Sequence, residues 1–248
     1  MRAIALCFCF ASLSTVGFAE SLDPPLDNKR LTVHTLLRED IFAGWRANDM
    51  ERFARGEKNI ELLLEQRPAS KAELLSWQGG TVLFRAVLAH EAGNDEQFQR
   101  LYTSALEIFA EAKSLGAKNP AVSAVVGGSY VMFADRLPEE LRAAAWNECY
   151  DHYQSLWSQQ GRLVDRLPVH IRGELLAGLV QSSQRTGRTE ELGQYLDKML
   201  EVLPDTPYAR IAERWKTDPQ AAATGNISCK SCHAEGRLSA RLAATEDK

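Results

Sequence analysis

The chain has 248 residues, 45% of them hydrophobic, and its 29 lysines and arginines stand against 33 aspartates and glutamates, a net charge of -4 with histidine neutral. That balance leaves no electrostatic footprint for nucleic acid or for an anionic membrane surface. Neither Gly-x-Ser-x-Gly, a Walker sequence nor His-Glu-x-x-His occurs, which argues against the common hydrolase, nucleotide-binding and zinc-protease chemistries and favours a carrier or binding protein over an enzyme.

The N-terminus reads as an export signal. Arg2 gives a short basic start, Ala3 to Val16 is an almost unbroken run of apolar and small residues, and Gly17-Phe18-Ala19 fits a small-x-small cleavage site before Glu20. The run falls short of the about 20 apolar residues of a membrane span. Residues 1-19 are therefore expected to be removed and the mature chain to work in the periplasm or outside the cell, with no membrane insertion; an uncleaved anchor is the alternative. Cys7 and Cys9 leave with the signal, and Leu6 and Phe8 before them are not the small residues of a lipid-attachment site. Loss of Arg2 takes the net charge to about -5.

Ser21 to Leu31, with Pro24 and Pro25, is an extended lead-in. From there to Trp215 the pattern is helical, without the alternation of strands. Thr32 to Asn48 carries Val33, Leu36, Leu37, Ile41 and Trp45 at helical spacing, and Met50 to Gln66 carries Phe53, Ile60, Leu63 and Leu64 before Pro68. Ser70 with Glu73 reads as a capping box for a helix running to about Ala92, and Gly93-Asn94 turns the chain into a helix from Glu96 to Leu115. Asn119-Pro120 opens a helix to about Arg136, and Pro138 opens one to about Gln160. Pro168 to Thr186 and Thr189 to Leu203 are joined at Gly187, and Tyr208 to Lys216 forms a capping helix. Cys149, inside the sixth helix, reads as a small buried apolar residue. The five tryptophans are spaced as core or interface anchors.

Gly79-Gly80-Thr81-Val82-Leu83-Phe84 is echoed 48 residues later by Gly127-Gly128-Ser129-Tyr130-Val131-Met132. Paired glycines in a helix cost about 1 kcal/mol each relative to alanine, so they are expected where a neighbouring helix comes close. Gly44, Ala47, Gly56, Ile60, Leu63 and Pro68, and later Gly187, Leu196, Met199 and Pro204, fall where tetratricopeptide repeats place small, bulky and terminating residues. The chain resembles that family over residues 20-216, although its middle helices exceed the period of about 34 residues and Val180 stands where the family has a small residue. The resemblance implies an all-α solenoid of about four helical hairpins, whose concave face docks a protein partner.

Thr217 to Ser228 is small and polar and reads as a linker, so 217-248 is expected to be a linker followed by a C-terminal functional segment, with Leu238 to Ala244 at most one short helix. In this segment lies Cys229-Lys230-Ser231-Cys232-His233. On a helical turn, positions i, i+3 and i+4 share a face, so both thiols and the imidazole point one way. This suits covalent attachment of one haem through Cys229 and Cys232, with His233 on the iron. A zinc site would need four converging ligands and no second Cys/His pair follows; a thioredoxin-like pair would need a strand-and-helix pattern; a Cys229-Cys232 disulfide stays open.

These five residues resemble the attachment motif of c-type cytochromes. The resemblance implies covalent haem c, His233 as the proximal metal ligand, and single-electron transfer with a redox partner protein. For the opposite side of the iron the candidates are Met50, Met132, Met199, His34, His90, His152 and His170, but each reads first as a core, surface or capping residue and none is singled out as a ligand. Two alternatives remain: a haem-based ligand binder resembling the helical c-prime cytochromes, and a haem-free secreted repeat scaffold closed by the disulfide.

Overall fold

A computed structural model describes residues 23-227 and 236-246, so the signal stretch, Cys229, Cys232 and His233 lie outside the described residues. The described chain is all helical, with eleven α-helices and no strand among those residues. They are α1 (Val33–Ala47), α2 (Met50–Gln66), α3 (Lys71–Glu91), α4 (Asp95–Gly116), α5 (Pro120–Phe133), α6 (Glu139–Gln160), α7 (Val169–Arg185), α8 (Thr189–Val202), α9 (Pro207–Thr217), α10 (Pro219–Thr224) and α11 (Arg237–Glu246).

Local chemistry sets most boundaries. The side chains of Thr32, Asp49, Asn94, Asn119 and Thr206 each accept a backbone N–H from the first turn of the helix they precede, which satisfies donors that have no partner inside a helix. Gly93 and Gly187 both take φ of 71° at the turns from α3 to α4 and from α7 to α8, a conformation that a side chain disfavours. The capping box expected at Ser70 does not form. A 3-10 turn over Pro68–Ser70 runs straight into α3, the Ser70 side chain caps nothing, and Glu73 instead accepts the backbone N–H of His34.

Consecutive helices pack in pairs: α1 on α2, α3 on α4, α5 on α6 and α7 on α8. The first helices of neighbouring pairs also touch, α1 on α3, α3 on α5 and α5 on α7. An aromatic seam runs through the core, with Phe53 edge-on to Phe84 at 5.1 Å, Phe84 stacked on Phe133 at 5.3 Å, and Trp45 edge-on to Phe133 at 5.1 Å. Such pairs add to the burial of large apolar rings. Cys149 is wholly buried, its thiol pushed up in pKa by burial and directed to the Gly127 carbonyl. Between α1 and α2, the almost fully buried carboxylate of Asp40 pairs with Arg52 at 3.1 Å and with Arg55 at 2.6 Å.

Of the paired glycines, three sit at close approaches. A Cβ on Gly79 would lie 2.5 Å from the Phe109 ring, one on Gly80 2.6 Å from the Ser129 hydroxyl, and one on Gly127 3.0 Å from the Tyr153 ring. Gly128 is different, because a Cβ there meets nothing within 4 Å.

Beyond α8 the chain returns to the helical body. Residues 217-227, in the stretch read as a linker, are not merely connecting chain: α10 packs against α9 and α7, and Asp218 caps it. Arg185, near the end of α7, donates to the carbonyls of Ala222 at 3.1 Å and Gly225 at 2.8 Å. Ile227 is fully buried and its N–H donates to Gln181 on α7 at 3.1 Å. At the other side of the undescribed stretch, α11 packs on α1, with Leu238 buried and its N–H donating to Glu39 at 2.6 Å.

Candidate functional site

The whole length of α1, the N-terminal parts of α3, α5 and α7, and the C-terminal end of α6 surround a cavity of about 600 Å³. Helical spacing explains the convergence. His34, Arg38 and Trp45 follow one stripe of α1, and Glu73 and Trp77 one stripe of α3. Ala121, Ala124 and Gly128 on α5 supply a wall with little side chain, whereas His170, Ile171 and Glu174 on α7 face it from the far end of the series. The volume lies within the roughly 300–1,000 Å³ of sites that hold a small molecule or cofactor.

The walls are mainly aromatic. Trp45 and Trp77 stack with centroids 6.2 Å apart at 26°, and Phe42 lies 4.8 Å from Trp45. Both indole Nε1–H groups are buried and meet no acceptor among the described residues. A buried donor left in that state costs free energy, about 1–3 kcal/mol on typical figures. Such a cost is rarely carried without a reason.

Charged groups are arranged around this apolar surface. The His34 ring rests 5.5 Å from Trp77, and burial, with Arg38 and His170 adding, pushes its pKa down to about 4. It is therefore a neutral imidazole at pH 7. Burial raises the carboxyl of Glu73, although the N–H it accepts from His34 works the other way. Glu174 accepts the Tyr208 hydroxyl at 2.6 Å, which holds that carboxylate at the α7 wall. A site of this kind suits a flat, largely apolar group.

Cys229, Cys232 and His233 lie outside the described residues, but both flanks are placed, Ile227 on α7 and Leu238 on α1. Of the seven side chains considered for the iron, His34 and His170 line the cavity. Met199 is fully buried in the core of α8, His152 is buried on α6 and lowered to about 4 by burial and then Lys113, and His90 packs on Phe98 at 5.4 Å. Met50 and Met132 pack at the edge of the core. Among the described residues no three His, Cys, Asp or Glu side chains gather as a metal site. Sequence reasoning missed Arg38, Glu73 and the indoles of Trp45 and Trp77; the four-residue steps from His34 to Arg38 and from Glu73 to Trp77 are a signal that could have found part of the set. Compared with protein-family models, curated proteins and solved structures, the chain matches none.

Proposed function

We propose that the protein is an exported monohaem c-type cytochrome that passes single electrons to or from a protein partner. The observation that carries this reading is the sequence Cys229-Lys230-Ser231-Cys232-His233, which supplies two thiols for covalent attachment and an imidazole for the iron within one turn. The fold supports it in one respect: the motif is flanked by fixed points. Ile227 is buried two residues before Cys229, and Leu238 is buried five residues after His233. A prosthetic group held at the motif is thereby tethered to the helical body, as controlled electron transfer requires.

In the finer reading the paired helices form a tetratricopeptide-like solenoid of about four hairpins, and its concave face docks the redox partner. Pairwise packing and contact between successive first helices support this reading. Among the described residues no helix is long and apolar enough to cross a membrane. Haem at the motif supplies a one-electron iron couple; the protein supplies the tether, the surrounding walls and the docking face.

The test is a reduced-minus-oxidised spectrum of the full chain exported from a host able to mature haem c, recorded before and after denaturation. A c-type band that survives denaturation and disappears in the Cys229→Ser, Cys232→Ser double variant is the expected result. Protein exported intact without any haem would remove the cytochrome reading and leave the scaffold with a Cys229-Cys232 disulfide.

A further inference from the structure

The cavity between α1, α3, α5, α6 and α7 is amphipathic from mouth to floor. His170, Ile171 and Ala124 are exposed where it opens, whereas Phe42, Trp45, Trp77, Tyr153 and Leu156 are buried along its inner walls. On α5, Ala121, Ala124 and Gly128 recur at steps of three and four and keep one wall low, and a Cβ at Gly128 would meet nothing within 4 Å. Trp45 and Trp77 give the cavity an aromatic face, their rings 26° from parallel. A low wall beside a broad aromatic one leaves a slot. Such a slot admits a plate-shaped body and makes fewer contacts with a bulky or flexible one.

The polar groups are sorted by charge. Arg38 lies one turn beyond His34 on α1, and Trp45 follows seven residues later, about 10 Å along the helix axis. The charges that act on the His34 ring come from Arg38 and His170, both basic. The two acids of the lining already receive donors from the chain: Glu73 accepts the His34 N–H, and Glu174 accepts the Tyr208 hydroxyl at 2.6 Å. A ligand carboxylate is therefore favoured at the corner of Arg38 and His170, where a guanidinium can meet it with two parallel N–H donors. The body of the ligand is favoured toward Trp45. We infer that this cavity binds a small, flat aromatic carboxylate, its rings between the Trp45 and Trp77 face and the low wall of α5 and its carboxylate on Arg38. Nothing in this site requires haem at the C-terminal motif.

The test is isothermal titration of the full exported chain with naphthalene-2-carboxylate. One molecule should bind per chain, with a Kd of about 0.1 mM or tighter. Naphthalene-2-methanol keeps the rings and loses the charge, and decanoate keeps the charge and loses the rings; each should bind at least about tenfold more weakly. Arg38→Gln should bring the carboxylate down to the affinity of the alcohol and leave the alcohol within about twofold of its own value. Gly128→Trp and Ala124→Trp fill the slot from its low wall and should abolish binding while the helical signal and melting remain. Ala124 is exposed, so that second variant tests the location even if position 128 does not accept the ring. A wild-type chain that binds no naphthalene-2-carboxylate at about 1 mM would overturn the site itself. Equal affinity for the alcohol would overturn the carboxylate contact, and undiminished binding in Arg38→Gln its assignment to Arg38. Equal affinity for decanoate would overturn the flat aromatic class, and undiminished binding in both tryptophan variants the location.

Discussion

The two glycines Gly128 and Gly178 give opposite predictions for the same substitution. Both lie inside helices, where alanine is favoured over glycine by up to about 1 kcal/mol. At Gly128 an added Cβ meets nothing within 4 Å, so Gly128→Ala should stabilise the chain by about 0.5–1 kcal/mol. At Gly178 the added Cβ would overlap the Tyr153 ring, which is only 4% exposed and also abuts Gly127. The ring is held between the two glycine-bearing helices, and it can yield only toward the cavity that it lines. Overpacking of that kind costs about 1–3 kcal/mol, so even after the gain in helix propensity Gly178→Ala should lose about 1–2 kcal/mol. For a chain of this size each kcal/mol moves the midpoint by roughly 2–4 °C. Thermal unfolding followed by far-UV circular dichroism should therefore separate the two variants by about 5–10 °C, on opposite sides of the parent. Shifts in the same direction would refute the claim that one glycine opens a cavity and the other admits a neighbouring helix.

Arg185→Ala removes the donor to Ala222 and Gly225 and also its 3.1 Å ion pair with Asp135; with charge-assisted bonds worth about 1.5–3 kcal/mol each, residues 218-227 should become readily cut in limited proteolysis while the helices before them stay protected, and an unchanged digestion pattern would count against this anchor. For His152, burial first and Lys113 second lower the pKa from 6.5 to about 4. The unfolded chain takes up its proton as pH falls through 6.5 and the folded chain only near 4, so the contribution of this residue is full above 6.5 and is lost between those values. Urea unfolding at pH 5 should show about 2 kcal/mol less stability from this group than at pH 7; His152→Gln should shrink the total difference by that amount and leave the share of His34, which is lowered in the same way, and an undiminished difference would assign the loss to other groups.

Much of the helical framework was legible because it rests on local signals. Apolar residues at spacings of three and four, Pro120 and Asn119 at a helix start, and Gly93 and Gly187 at turns act within a few residues of themselves. The cavity was not legible, because no single helix carries it. His34, Trp77, Gly128 and Glu174 each belong to a different helix, and in one dimension each reads as an ordinary member of an apolar or surface stripe. The helix α10 was hidden for a related reason: Pro219 to Thr224 has the composition of a linker, and its place depends on Arg185, distant in sequence, capturing two of the surrounding carbonyls. The expected capping box at Ser70 failed through the same kind of competition, since Glu73 has a tertiary partner in the backbone of His34.

The shape of the cavity follows from side-chain size on facing stripes. Where one helix presents glycine to a ring, as Gly79 does to Phe109 and Gly178 to Tyr153, the ring fills the space and the helices close together. Along α5 the residues Ala121, Ala124 and Gly128 also leave space, but the facing Phe42, Trp45 and Trp77 are occupied with one another and do not enter it. A core selected for stability alone would gain from a larger residue at position 128, by burial of apolar area and by helix propensity together. Retaining glycine there gives up both gains, and the natural reason to give them up is a group that the space must admit.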